Sequence, residues 1–265
     1  MTDSKGVINQ SRTNLSDEKK FFITKRKINS LEEAIKESDV FIGLSMANIL
    51  SKKMLASMSK NPIVFAMANP DPEIDYNTAI SVRDDIIFAT GRSDLPNQVN
   101  NVLGFPFIFR GALDVRATKI NEEMKKAAVV ALAELAKKPV PEQVNIAYEE
   151  TKLIFGKDYI IPKPFDPRLI SEIPPAVARA AMESGVAQEP ITDWDKYTHT
   201  LEERLGNNQK LIRIIHRRAR KAKNKKLVFA EADHMDVLKA AQICFEEGIA
   251  DPILLGGKKI IEELM

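Results

Sequence analysis

A chain of 265 residues holds either one large domain or two ordinary ones. Its 44% apolar and 29% charged residues are the proportions of a folded globular protein, and a formal charge of +2 gives no bulk attraction to nucleic acid or to an anionic membrane. One cysteine, Cys244, excludes an internal disulfide, and neither a membrane-length apolar run (~18 residues) nor a secretory leader occurs, so the cytoplasm is the expected location.

The N-terminal part alternates helical patterns with short apolar runs. Ser30 precedes a helical stretch to Glu37, and Glu33 completes a capping box with it. Asp39–Leu44 (DVFIGL), Pro62–Met67 (PIVFAM) and Asp85–Ala89 (DIIFA) follow as three buried-strand candidates, each short, apolar and bounded by polar residues, Pro or Gly. Strands at this spacing with helices between them predict a parallel sheet in an α/β fold. From Phe105 the pattern turns helical. A helix is expected over Gly104–Ala117, and a second from an Asn121 cap to Lys137 with Met124, Ala127, Ala128, Ala131 and Leu135 on one face. A third, Asp166–Gly185, should break or kink at Pro174-Pro175 and end at Gly185.

Ala187–Trp194 (AQEPITDW) has turn residues and no periodicity, which marks a linker. One or two basic helices are expected over Lys196–Lys223. The strand–helix rhythm then restarts with Lys226–Ala230, a helix His234–Gly248, a strand Asp251–Leu255 and a last helix after Gly256-Gly257. Two strands are too few to bury a core. At the other end Thr2-Asp3 opens the chain, and no G-x-G-x-x-G occurs anywhere. If the first part is a dinucleotide fold it is incomplete, with its first third and the end of the last domain expected to be missing.

Ligands of open parallel sheets sit beyond the carboxyl ends of the strands. Asn69-Pro70 in MANPDPE lies at such an end, where an Asn can orient a carboxamide or a carboxylate, although the same dipeptide also serves as a plain turn. The stretch GRSDLPNQVNNVLGFPFIFR follows the third strand and clusters Asn97, Gln98, Asn100 and Asn101 ahead of an apolar helix. Amides there either hold an anion together with free helical N–H groups or simply cap the helix.

The segments DSKGVI, DVFIGLS, NPDPE, ATGRSDLPNQVNNVLGFPFIFRGALDVRAT, YIIPKPFDPRL and AVARAAMESGVA, in that order over residues 1 to 190, resemble bacterial malic enzymes. LVFAEAD and VLKAAQICFEEGIADPILLGG resemble the start of a phosphotransacetylase, so the chain looks like part of the hybrid type. The resemblance implies three portions: residues 1–187 from the NAD(P)-binding domain, 188–225 as linker and basic helices, and 226–265 opening the phosphotransacetylase-like domain. It implies oxidative decarboxylation of malate to pyruvate with reduction of NADP or NAD and a divalent metal, Mg or Mn. Asn69 matches the family Asn beside the nicotinamide and substrate. Asn101 matches the one that binds the malate carboxylate, with Asn100 as its neighbour. Gly43, Leu44 and Ser45 match a strand-end loop along the cofactor.

Asp3 matches the position that holds the adenosine ribose. A carboxylate there favours NAD, whereas Ser4 and Lys5 beside it could receive a 2′-phosphate, and the family leans to NADP. The tyrosine acid, the lysine base, the metal ligands and the phosphate loop of the family have no counterpart in this sequence, so the chain alone is expected not to turn over malate. The competing reading is a non-catalytic remnant that binds a ligand or assembles, and self-association is expected on either.

Other signals carry less. The basic run Lys210–Lys226 has no aromatic interleaving, so nucleic acid is not expected as a partner. His199, His216 and His234 are too scattered for metal ligation, no spacing marks Asp84 and Asp85 as ligands, and Cys244 among Ala240, Ala241 and Ile243 reads as core.

Overall fold

Apolar alternation and capped turns shape the first part of the chain. The computed structural model describes residues 1–148, 153–205, 219, 225–246 and 248–264. They fall into two units, one from Met1–Asn100 with Gly156–Ile161 and the other from the described residues of Asn101–Phe155 and Pro162–Met265. The first division thus comes at residue 100, inside the stretch that the sequence joins to the sheet.

The first unit opens with a small antiparallel hairpin, β1 (Thr2–Asp3) and β2 (Gly6–Val7), and the short helix α1 (Asp17–Lys20). Helix α2 (Leu31–Ile35) starts at the expected Ser30, whose side chain accepts from Glu33 N while the Glu33 carboxylate accepts from Ser30 N. Strand β3 (Val40–Gly43), helix α3 (Lys52–Ala56), strand β4 (Ile63–Ala66), helix α4 (Tyr76–Val82) and strand β5 (Ile87–Thr90) follow. The three strands lie parallel in the order β3-β4-β5, with Val40 opposite Ile63 and Ile63 opposite Ile87.

One face of this sheet is buried. Phe41, Val64, Ala66 and Phe88 pack with Ile35, Leu55, Met58 and Ala79 of the helices, and each large side chain so buried contributes about 1.5–3 kcal/mol. The other face departs from the expected two-sided burial, since Val40 is 48% and Ile42 62% exposed. The Asp39 carbonyl accepts from Ile63 N and the Gly43 carbonyl from Met67 N, so the peptide groups of Val40 and Ile42 point to the open edge of β3. The exposed side chains and the open edge therefore belong to the same two residues.

Arg83 closes the unit beneath the sheet. Its guanidinium forks onto Asp85 at 2.9 and 2.7 Å and reaches the Met58 carbonyl at 2.9 Å, and Asp85 also accepts from Asn61 N. The Arg83 hydrogen bonds, followed by that from Asn61, hold the Asp85 carboxyl well below the usual carboxylate range. A depressed folded value means that this contribution is complete above about pH 4, the unfolded carboxylate value, and is lost as the pH falls through the folded one. Urea midpoints measured from about pH 5 to pH 2 are expected to fall less steeply for Asp85→Asn than for the wild type. Equal slopes would show that the pair contributes nothing to acid sensitivity.

The second unit is helical at its centre. A single 3-10 turn (Asn101–Leu103) leads into α5 (Phe105–Asp114), followed by α6 (Glu122–Lys137), α7 (Glu142–Ala147), α8 (Leu169–Glu183) and α9 (Trp194–Glu203). Asn121 caps α6 through Met124 N, and Met124, Ala128 and Leu135 are buried as their spacing requires. Helix α8 packs against both α5 and α6. It runs unbroken through Pro174-Pro175, so of the break or kink that the sequence suggests there the break does not occur. Two prolines remove the donors to the Ile170 and Ser171 carbonyls. Ile173, Val177, Ala178 and Ala181 are nonetheless fully buried on either side, and that packing keeps the helix continuous. It ends at Glu183, and Gly185 closes it just beyond the cap, with Gly185 N donating to Met182 O and Val186 N to Ala181 O.

The linker is shorter in structural terms than it reads, because Asp193 caps α9 and α9 packs on α8. The Arg179 guanidinium stacks on the Trp194 ring at 3.7 Å, and Tyr197 Oη donates to Asp114 Oδ2 at 2.7 Å. Burial, then the Asp114 contact, pushes the Tyr197 hydroxyl far up from its ordinary value. Helix α9 carries Asp195, Glu202 and Glu203 and is not basic; most of the expected basic run lies outside the described residues. The last portion forms strand β6 (Lys226–Phe229), helix α10 (Met235–Glu246), strand β7 (Asp251–Leu254) and helix α11 (Lys258–Leu264), with β6 and β7 parallel as expected. Leu227, Val228 and Ile253 stay exposed there. Among the described residues no helix is long and apolar enough to cross a membrane.

Candidate functional site

Parallel strands end together, and here the ends of β3 and β4 are tied by one side chain. Glu73 is fully buried, and its carboxylate accepts from Ser45 N through Oε1 and from Ala68 N through Oε2, both at 3.0 Å. Its carbonyl accepts from Leu50 N at 3.0 Å, and the Pro72 carbonyl from Asn48 N at 3.1 Å. The carboxylate lies where a side chain at residue 43 would go: a Cβ on Gly43 would meet Glu73 Cδ at 2.3 Å. Gly43 is therefore required by close approach. Gly43, Leu44, Ser45 and Asn69 stand out in the sequence and Glu73 does not; its one signal is an acid that follows Asn69 by four residues and directly precedes the apolar Ile74.

Leu44, Ser45 and Asn69 are exposed, so the two loops present both backbone and an amide to solvent. The peptide bond between Asn69 and Pro70 is cis. The Asn69 side chain lies near the end of β5, where a Cβ added at Gly91 would meet its Oδ1 at 3.6 Å.

The four amides after β5 separate into two kinds. Asn97 is buried, has φ +52°, and is spent on backbone: its Nδ2 donates to Phe88 O at 2.9 Å and Lys157 O at 2.8 Å, and its Oδ1 accepts from Ile160 N at 2.8 Å. Gln98 is also buried and bridges Thr90, with Val99 N donating to Thr90 O. Asn97 is thus a side-chain clip for the strand-end loop, and Gln98 joins that loop to β5 through its backbone. Asn100 and Asn101 are the exposed pair, and Asn101 opens the turn into α5, whose Gly104 cap position supplies no side-chain acceptor.

Asp3 ends β1 in a hairpin. Arg12 forks onto its carboxylate with two bonds of 3.1 Å, and Lys19 adds one of 2.7 Å. These two cations, with Lys5 N, hold its carboxyl well below the usual range. Among the described residues no three His, Cys, Asp or Glu side chains cluster in a way that could hold a metal ion. His234 lies in the turn into α10, and Cys244 is half-buried on that helix.

Residues 1–152 match the family described as malic enzyme, NAD binding domain, and residues 210–264 match phosphate acetyl/butaryl transferase. The NADP-dependent malic enzyme of Escherichia coli is 50% identical over 262 residues, 98% of this chain and 34% of that protein. The NAD-dependent malic enzyme of Rhizobium meliloti is 46% identical over 261 residues, again 98% of this chain and 34% of the relative. The crystal structure of Entamoeba histolytica malic enzyme superposes with a TM-score of 0.66 at 28% identity, covering 100% of this chain and 47% of that one. The chain spans about a third of the length of the curated relatives it matches. With a parallel sheet whose strand ends carry the matched motifs, and a family match over more than half its residues, the chain belongs to the malic enzyme family.

Proposed function

We propose that this chain supplies nicotinamide-side and malate-contacting residues of a malic enzyme, which converts malate to pyruvate by oxidative decarboxylation with NADP. The observation that carries the reading is the pair of loops at the ends of β3 and β4, held together by Glu73, with an exposed amide at Asn69 and no Cβ at Gly43. Those features fit the nicotinamide half of a dinucleotide: bare backbone for close approach, and an amide that both donates and accepts. The chemistry supplied by the cofactor, when bound, is acceptance of the hydride from malate C2. Gly43, Leu44 and Ser45 line the cofactor, and Asn69 orients its carboxamide and the substrate. Asn101, with Asn100 as its sequence neighbour, donates amide hydrogens to the malate carboxylate without adding a charge.

NADP is favoured over NAD. Asp3 no longer repels a 2′-phosphate, because Arg12 and Lys19 already offset its charge. The divalent metal of the family, Mg or Mn, finds no ligand cluster among the described residues, so none of these roles runs through it. Residues 1–187 are the malic enzyme portion, 188–225 connect it, and 226–265 begin the transferase-like portion. The complete arrangement works as a cytoplasmic homo-oligomer, supported by the open β3 edge and by the exposed Phe105, Phe109 and Leu113 one turn apart on α5.

Calorimetric titration of the purified chain tests the reading. NADP is expected to bind more tightly than NAD, with an affinity that falls as salt rises. No binding of either, in material that still unfolds cooperatively, would leave a folded module of malic enzyme ancestry without this role. Light scattering on the same sample is expected to give a multiple of the 29.7 kDa chain mass, and a monomer would overturn the assembly.

A further inference from the structure

A buried carboxylate is costly unless it is hydrogen-bonded, so a sequence keeps one only where its geometry does something that an apolar side chain cannot do. Glu73 is 0% exposed, and its two oxygens are divided between two loops. Oε1 takes the N–H of Ser45 after β3, and Oε2 takes the N–H of Ala68 after β4, each at 3.0 Å. The main chain at the same residue holds the return of the first loop, through Leu50 N on its carbonyl. The carboxylate is in turn wedged against Gly43, where even a methyl group would overlap it.

A forked acceptor of this kind sets a distance. Two N–H groups on separate loops can approach one carboxylate only at one spacing of those loops. The spacing it sets is that between Ser45 and Ala68, which flank Leu44 on one side and Asn69 on the other. We infer that Glu73 is a positioning residue: its carboxylate holds the loops Gly43–Ser45 and Ala68–Asn69 at the separation that receives the nicotinamide half of the cofactor. The inference rests on the proposed cofactor reading of those loops. It is specific to a carboxylate. An amide in its place keeps one acceptor oxygen and turns an NH2 group toward the other backbone N–H, so one loop is repelled where it was held.

The test uses the purified chain and two probes, NADPH followed by its fluorescence and adenosine 2′,5′-bisphosphate, which carries the adenosine half alone. Thermal unfolding is recorded for each variant. Glu73→Gln is expected to unfold cooperatively and to bind NADPH at least about tenfold more weakly, about 1.4 kcal/mol, while its affinity for the bisphosphate changes less than about twofold. A purely structural role would weaken both probes together, and that result overturns the inference. Undiminished NADPH binding by folded Glu73→Gln also overturns it, leaving the cofactor reading intact. Absence of NADPH binding by the wild type overturns the cofactor reading itself, and the inference with it. Amide hydrogen exchange in the wild type gives a check that needs no variant. The Ser45 and Ala68 amides, both in loops, are expected to exchange at least about tenfold more slowly than the exposed amide of Met46. Exchange as fast as that of Met46 would remove the tie on which the inference stands.

Discussion

Asn97→Ala is expected to lower the unfolding free energy by about 4 kcal/mol. The side chain makes three hydrogen bonds, a buried one to the Phe88 carbonyl and part-buried ones to the Lys157 carbonyl and from the Ile160 N–H, and its removal takes the partner from all three backbone groups. Each such bond contributes about 1 kcal/mol net, more where the orphaned partner stays buried. The backbone at this residue is left-handed, φ +52°, which Asn tolerates and Ala resists by about another 1 kcal/mol. Asn97→Gly separates the two causes. It loses the hydrogen bonds but keeps the backbone freedom, and it should be about 1 kcal/mol less damaging than Asn97→Ala. Denaturant midpoints for the three proteins, at unchanged slope, give the comparison. A loss below about 1 kcal/mol for Asn97→Ala would mean that the segment Gly156–Ile161 is not held to the sheet in this way.

Gly111→Ala is expected to cost about 2–3 kcal/mol, although alanine is ordinarily the better helix former. A Cβ on Gly111 would lie 2.5 Å from the Pro174 carbonyl oxygen and 2.8 Å from Val177 Cβ, both on the facing helix α8. Neither atom can rotate away, so α5 and α8 must separate, and the packing around Ile173 and Val177 opens with them. Gly104→Ala, at the N-terminal cap of the same helix α5, is the control. Its Cβ would meet only Ile108 Cδ1 at 3.6 Å, an ordinary contact, and its effect should stay within about 0.5 kcal/mol. Equal thermal midpoints for the two alanine variants would show that the helices do not cross at Gly111.

These residues differ in how far along the chain their partners lie, and legibility in the sequence follows that distance. Helix ends were legible because their cause is local. Ser30 with Glu33, Asn121 with Met124 N, and Gly185 after an alanine-rich run each satisfy free backbone groups within about four residues of themselves. The three parallel strands were legible for a similar reason, as apolar runs too short for helices and bounded by polar residues. Of the motifs at their ends, Asn69 stands out because it follows a strand, whereas Gly43–Ser45 stand out only through the family resemblance; the structure puts both at the carboxyl ends of β3 and β4.

What stayed hidden depends on partners distant in the chain. Asn97 looked like one of four equivalent amides, and only the arrival of residues 157 and 160, some sixty positions later, turns it into a clip. Glu73 looked like one acid among many until Gly43 left it room and Ser45 and Ala68 gave it donors. Asp3 reads in the sequence as an unpartnered carboxylate, and only the folded chain brings Arg12 and Lys19 onto it. Pro174-Pro175 predicts a break or a kink, and of the two the break is absent because residues buried along α8 hold the helix continuous. The α/β class, the order of elements and the family follow from the order of residues, because periodicity, caps and motifs are properties of neighbours. Which polar side chains are spent inside the fold, and which remain for a ligand, is settled only in the folded chain, because burial and hydrogen-bond pairing wait until distant segments meet.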